Sequence, residues 1–339
     1  MVHADLPLAV TSGEPAGIGP DLTLLAWTRR KALQLPAFYI RTDPGFLEQR
    51  AARLGLKVPI ARVDPHEANG AFTKNLPVVS TGAAITDMPG VEQEAAADSV
   101  ITSIRACVED VRAGRACAVV TNPITKSALY QAGFDYPGHT EYLGVLGDEL
   151  WDVPSQRPVM LIAGPELMVV PVTIHIPLAD VPRALSKTLI VETARIVHQD
   201  LKDRFGIADP RLAFCGLNPH AGENGTIGTE ERELITPAIA QLNREGIVAT
   251  GPYPADTLFH PEARASYDCA IGMYHDQVLV PAKTIGFDEA VNVTLGLPFV
   301  RTSPDHGTAY SLAGTGRARI DSFAASLRLA AVLSDPAAI

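Results

Sequence analysis

Short runs of Val, Ile and Leu alternate along the chain with longer stretches whose apolar residues recur every three or four positions. The first pattern suits parallel strands buried on both faces and the second suits amphipathic helices covering them, so together they predict an α/β fold. Strands are expected at 8–12, 37–41, 77–80, 116–121, 159–163, 168–173, 212–216 and 269–273. Val100, Ile104, Cys107, Val108 and Val111 share one helical face, with Arg105, Glu109, Asp110 and Arg112 elsewhere, which predicts a helix there. Residues 185–205, 230–245 and 321–333 read the same way, the last with Asp321 or Ser322 available as N-cap. Dense polar clusters at 11–21, 121–141, 218–230, 274–283 and 301–316 lie between these elements, where function-bearing loops are expected.

The 339 residues, 47% hydrophobic and 19% charged, are enough for about two cored domains. No linker or internal repeat separates halves, so a split is expected where the chain crosses twice between lobes. Lys and Arg number 28 against 38 Asp and Glu, a net charge of -10, with no basic cluster, which excludes nucleic-acid binding. The most hydrophobic stretch, Val159 to Ile176, is broken by Gly164, Pro165, Glu166 and Pro171, so no membrane span is expected. The N-terminal residues show no basic, secretory-type region. Cys107, Cys117, Cys215 and Cys269 lack C-x-x-C spacing and lie in apolar runs, the usage expected of free thiols in the cytoplasm.

Three of nine histidines, His175, His220 and His275, each follow an expected strand in a polar loop. Three neutral imidazoles would bind a divalent ion and leave positions open for substrate oxygens. Isolated loop histidines that cap helices or bond carbonyls would read the same way, and the separations form no local ligand motif. Asp276 stands beside His275 to orient a ring or an ammonium group, while Lys283, Asn292 and Arg301 offer donors suited to phosphate or carboxylate, or are simply solvated. Gly13, Gly17 and Gly19 give G-x-x-x-G-x-G, not the G-x-G-x-x-G dinucleotide fingerprint, and read equally as a phosphate cradle or a tightly packed turn. No G-x-S-x-G elbow or reactive cysteine context supports nucleophilic catalysis.

Taken together, Glu14 to Asp21, Thr121-Asn-Pro-Ile-Thr-Lys126, Gly138-His-Thr-Glu141, Asn218-Pro-His-Ala-Gly-Glu223, Tyr253-Pro-Ala-Asp-Thr257, Tyr274-His-Asp-Gln277 and Thr294 to Thr302 through Asp305-His-Gly-Thr308 resemble the 4-hydroxythreonine-4-phosphate dehydrogenase (PdxA) family almost end to end. The resemblance implies an isocitrate/isopropylmalate dehydrogenase-like fold, two α/β lobes around a cleft, without a standard Rossmann fingerprint. One lobe would comprise 1–125 with 300–339, the other 126–299 with the metal site and the dimer interface. It implies a homodimer with shared active sites, in which His175 and His220 hold a divalent metal (zinc, magnesium or cobalt) with the partner subunit's His275. Substrate contacts would fall on His139, Thr140, Lys283, Asn292 and Arg301, and NAD or NADP contacts on His306, Gly307 and Thr308.

The activity so implied is oxidation of 4-phosphooxy-L-threonine at C3 with decarboxylation to 3-amino-2-oxopropyl phosphate, in pyridoxal 5'-phosphate (vitamin B6) biosynthesis. Lys283 is the first candidate for the base, with Asp276 and Asp256 as alternatives. Two other functions fit the same residues: a dehydrogenase of D-threonate or D-erythronate 4-phosphate, and a metal-dependent aldolase or lyase that uses no nucleotide.

Overall fold

The expected Val, Ile and Leu runs form strands in the computed structural model, which describes residues 6–335 other than 132, 137 and 153–155, with nothing stated of side chains 95, 127, 128 and 131. In chain order the strands are β1 (Leu8–Thr11), β2 (Phe38–Arg41), β3 (Ile60–Arg62), β4 (Leu76–Val79), β5 (Val119–Val120), β6 (Val159–Ala163), β7 (Met168–Thr173), β8 (Arg211–Cys215), β9 (Val248–Tyr253), β10 (Cys269–Tyr274), β11 (Val291–Leu295) and β12 (Arg301–Pro304). The chain divides into two compact units, one running to Pro158 and resuming at Leu297, the other Val159–Gly296.

In the first unit the strand order is β3-β4-β2-β1-β5-β12, and every pairing is parallel. Parallel strands need covered faces, and helix Ala97–Arg112 supplies one cover, burying Val100, Ile104, Cys107 and Val108 as its spacing predicts. Leu129, Phe134, Tyr142, Leu143 and Leu146 join that same cluster. Helices Lys126–Gln131 and His139–Leu150 therefore belong to this unit. The crossings fall at 158/159 and 296/297 rather than at 125/126 and 299/300, because this apolar face is already committed to the 97–112 helix.

The second unit is ordered β11-β6-β7-β10-β8-β9. Its β7, β10, β8 and β9 are parallel, whereas β6 pairs antiparallel with both β7 and β11. The β6-β7 reversal is set by Gly164-Pro165-Glu166-Leu167, closed by Gly164 N–H donating to the Leu167 carbonyl at 3.0 Å. Helix Lys187–Asp203 starts where the Ser186 hydroxyl accepts from Leu189 N–H and buries Ile190, Ala194, Val197 and Leu201. Among the described residues, no helix is long and apolar enough to cross a membrane.

Two local expectations are corrected. The helix Asp321–Ser334 has Ile320 at its N-cap with no side-chain cap bond; the Ser322 hydroxyl instead accepts from Asp305 N–H at 3.0 Å. Asp110, on the expected polar side of its helix, is fully buried. Its carboxylate accepts from Tyr39 Oη at 2.5 Å, Arg41 Nε and Nη2 at 2.6 and 2.8 Å, and Arg115 Nε at 2.8 Å. Removing one member strands the others in a water-poor site. Asp110→Ala should lose about 3–5 kcal/mol of unfolding free energy in urea denaturation; a midpoint equal to wild type would show that the network adds no stability.

Candidate active site

Parallel pairing gathers what the sequence keeps apart. Strands β7, β10 and β8 are adjacent and parallel, so the loops leaving their C-terminal ends emerge along one sheet edge, where open α/β sheets place ligand sites. His175 follows β7, His275 follows β10 directly, and His220 follows β8. Strand β9, parallel to β8, delivers Asp256 to the same edge. Thr173 lies opposite Tyr274 in the ladder, which brings the His175 and His275 rings to 5.5 Å between centroids. Both line a pocket of about 240 Å³ with Thr173, Tyr274 and Asp276.

Two of these histidines sit on backbone that non-glycine residues seldom adopt. His175 has φ 50° and His220 has φ 53°. His and Asn tolerate this left-handed region better than most residues, and it recurs at functional sites. His275 Nδ1 meets Asp276 Oδ1 at 2.7 Å, an arrangement that fixes the ring and favours presenting Nε2 to a ligand. Asp276 thus orients an imidazole. Among the described residues, the ring nitrogens of all three histidines do not come within 4.8 Å of one another in one chain; the one trio that does, Asp64, His66 and Glu67, is exposed, and there Glu67 Oε2 accepts from Asp64 N–H.

Helix His275–Gly286 carries Asp276 and Lys283 seven residues apart, hence on one face. Lys283 is half-buried and lines a hollow with His275, Asp276 and Thr284. Asp256 and Asp276 line another hollow with Tyr274 and Gln277. Asn292 is half-buried on β11, opposite Ile162 of β6.

The first unit holds the remaining candidates. Arg301 opens β12, and its Nε and Nη2 donate to the Thr121 hydroxyl at 3.1 and 2.6 Å. Burial pushes its pKa down to about 10, so the guanidinium stays charged at neutral pH. His139 and Thr140 begin the helix that follows Gly138. Among the described residues, His139 Nε2 is buried with no hydrogen-bond partner. Burial, and secondarily the Arg301 charge, hold its pKa well below the ordinary value, so the ring is neutral. An unpaired ring nitrogen near a buried cation makes a fitting receptor for a phosphate or carboxylate group.

The glycine-rich turn proves to be a packing device. A Cβ on Gly13 would lie 2.5 Å from Asn122 Cβ, one on Gly19 at 2.9 Å, and one on Gly17 at 2.9 Å from the Thr308 carbonyl. Ile18 N–H donates to that Thr308 carbonyl at 3.0 Å, so Thr308 braces the turn. Nearby, His306 Nδ1 approaches the Gly307 carbonyl at 3.0 Å.

A sequence model of the family described as pyridoxal phosphate biosynthetic protein PdxA matches residues 34–330. The chain belongs to the PdxA family. Along 98% of its length it is 56% identical to the 4-hydroxythreonine-4-phosphate dehydrogenase of Xanthobacter autotrophicus, covering 95% of that protein. Among solved structures, the Klebsiella pneumoniae enzyme of the same name superposes with a TM-score of 0.84 at 33% identity, over 97% of this chain and 100% of the other. The Burkholderia phymatum enzyme of that name gives 0.81 at 35%, over 97% and 98%. PdxA membership makes this chain a dehydrogenase and an oxidoreductase.

Sequence reasoning gave Thr121 and Tyr274 no role, although both stand in the motifs that carried the PdxA resemblance. Thr121 receives both Arg301 donors, and Tyr274 lines the pockets on either side of its strand end. Only the strand pairing reveals these neighbours.

The His139 shift predicts a pH dependence. The native ring stays neutral while the unfolded ring takes a proton below its ordinary value of 6.5, so this stabilisation is present above that pH and lost as pH falls through it, by at most about 1.4 kcal/mol per pH unit. Denaturation of His139→Gln should show a shallower loss of stability than wild type from neutral pH towards the carboxylate range; parallel curves would contradict a neutral buried imidazole.

Proposed function

We propose that this chain oxidises 4-phosphooxy-L-threonine at C3 and supports its decarboxylation to 3-amino-2-oxopropyl phosphate, with NAD or NADP as acceptor and a divalent ion as cofactor. The observation that carries this reading is that β7 and β8, parallel to β10 on either side of it, deliver His175 and His220 to one sheet edge, where His275 at the end of β10 is offered to a second copy. Imidazole donors fit a divalent ion, zinc or cobalt better than magnesium. When bound, the ion would polarise the substrate hydroxyl and stabilise developing negative charge, and the nicotinamide would take the hydride.

The chain's own residues do the rest. Arg301 and His139, with Thr140 beside them, hold the phosphate or carboxylate end. Lys283 Nζ, or failing it the Asp276 or Asp256 carboxylate, takes the C3 hydroxyl proton as hydride leaves the same carbon. The resulting 3-keto acid loses CO2, leaving its bonding electrons on the adjacent carbon, which a proton then caps. Asn292 supplies an amide for a substrate oxygen, and His306, Gly307 and the Thr308 side chain face the nucleotide.

The apolar side chains of Leu178, Val280 and Phe287 are exposed by 67%, 62% and 70% and belong to the unit and the hollows that hold His175, His275 and Lys283. Patches of this kind are commonly covered by a partner. A second copy placed there, with the partner subunit's His275 joining His175 and His220, gives the ion its third imidazole.

NADH formation with 4-phosphooxy-L-threonine should exceed that with D-threonate or D-erythronate 4-phosphate. The reverse preference would move the chain to sugar-acid chemistry, and no reduction with any of them would favour the metal-dependent lyase. Lys283→Met should lower kcat by about 100-fold or more at unchanged metal content; near-normal kcat would remove Lys283 from the role of base.

A further inference from the structure

The loop that presents His220 is wrapped around a buried carboxylate to which the proposed reaction assigns no task. Glu231 is 5% exposed and opens Glu231–Ile235, a turn with π-helical bonding of the kind that often marks functional sites. Its Oε1 accepts from Asn218 N–H at 2.7 Å and its Oε2 from Asn218 Nδ2 at 3.1 Å. Glu230 Oε2 accepts from the same Nδ2 at 2.8 Å and from Thr229 N–H at 3.1 Å. Asn218 lies two residues before His220. On the other side of the loop, a Cβ added to Gly222 would fall 2.4 Å from Glu231 Oε2, and one added to Gly216 would fall 3.1 Å from Oε1. Backbone both before and after His220 is thus packed directly on this carboxylate.

That anchoring opposes a real cost. From His220 to Asn224 the backbone is left-handed at five successive residues, with φ of 53°, 51°, 75°, 44° and 57°. Gly222 takes this conformation without penalty, Ala221 and Glu223 each give up roughly 1–2 kcal/mol, and His220 and Asn224 give up less. Hydrogen bonds close the segment within itself, such as Ala221 N–H to the Asn218 carbonyl at 3.1 Å and Ile227 N–H to the Gly222 carbonyl at 3.2 Å, and the contacts to Glu231 anchor it from outside the turn.

We propose that Glu231 is a positioning residue: by holding Asn218 and seating Gly222, it keeps the strained turn wound so that His220 is presented at the end of β8 ready to take a divalent ion. This rests on the metal-binding reading of His175, His220 and His275. Glu231 itself touches neither ion nor substrate. Its removal lets the turn relax toward right-handed backbone and withdraws one imidazole, while the rest of the unit keeps its core.

The test is Co²⁺ titration of the chelator-treated full-length protein, read by visible absorption, with thermal melting of each metal-free variant alongside. Wild type should bind Co²⁺ and His220→Ala should lose most of that affinity. Glu231→Gln should weaken binding by about 10–100-fold, the range typical of groups that orient metal ligands, with a metal-free melting temperature equal to wild type. Should Glu231→Gln fail to fold, Asn218→Ala removes the same anchor from the other end and should give the same loss. Wild-type affinity in both variants, with His220→Ala impaired, overturns the positioning role alone, as does a loss that merely tracks a lowered melting temperature. No Co²⁺ binding by wild type, or undiminished binding by His220→Ala, overturns the metal reading and this inference with it.

Discussion

The site depends on the parallel pairing of β7, β10 and β8. A parallel ladder puts all its C-terminal ends on one side, and three adjacent strands convert residues far apart in sequence into neighbours along an edge. The first unit obeys the same rule: β1, β5 and β12 are adjacent and parallel, and their ends deliver the 12–19 turn, the Thr121–Lys126 segment and the Asp305–Thr308 loop. Each candidate group then needs only its own short loop to fix it. This is how a chain with no local ligand motif can still gather three histidines along one sheet edge.

The loops are held by buried polar groups. In the first unit Arg50, fully buried, donates from Nη2 to the Pro15 carbonyl at 2.7 Å and from Nη1 to the Gly17 carbonyl at 3.1 Å and to Asp21 Oδ1 at 2.6 Å. Asp21 Oδ2 in turn accepts from Gly314 N–H at 2.8 Å, so one guanidinium ties the glycine turn to the loop after β12. Burying these charges is costly unless every donor and acceptor is matched, and the matching is what makes the turn a single, rigid shape. In the second unit Glu231 stands in a comparable relation to the His220 loop.

Much of the fold was legible from periodicity, because buried parallel strands are short apolar runs and their covering helices are amphipathic. Strands β6 and β7 fall where the Val, Ile and Leu runs predict. Strands β3, β9 and β12 are not legible, since Ile60–Arg62 is too short, Val248–Tyr253 contains Gly251 and Pro252, and Arg301–Pro304 has no apolar run, whereas β11 carries a legible alternation, Val291-Asn-Val-Thr-Leu295, outside the expected strands. The helix His275–Gly286 was hidden by Pro281 in its interior. The candidate residues were legible as polar clusters after strands, and as family motifs, but not their grouping: sequence spacing carries no information on which strands pair. Asp110 and Glu231 show the same limit, since an acid among charged helical residues reads as solvated until its buried donors are seen.

A site shared between subunits requires His175 and His220 of one chain to act with the partner subunit's His275. Mixing two inactive variants, His220→Ala and His275→Ala, under conditions that exchange subunits tests it directly. In a mixed dimer one site would keep all three histidines, so the mixture should regain roughly a quarter of wild-type turnover. A mixture that exchanges subunits yet stays as silent as its components would contradict a shared site.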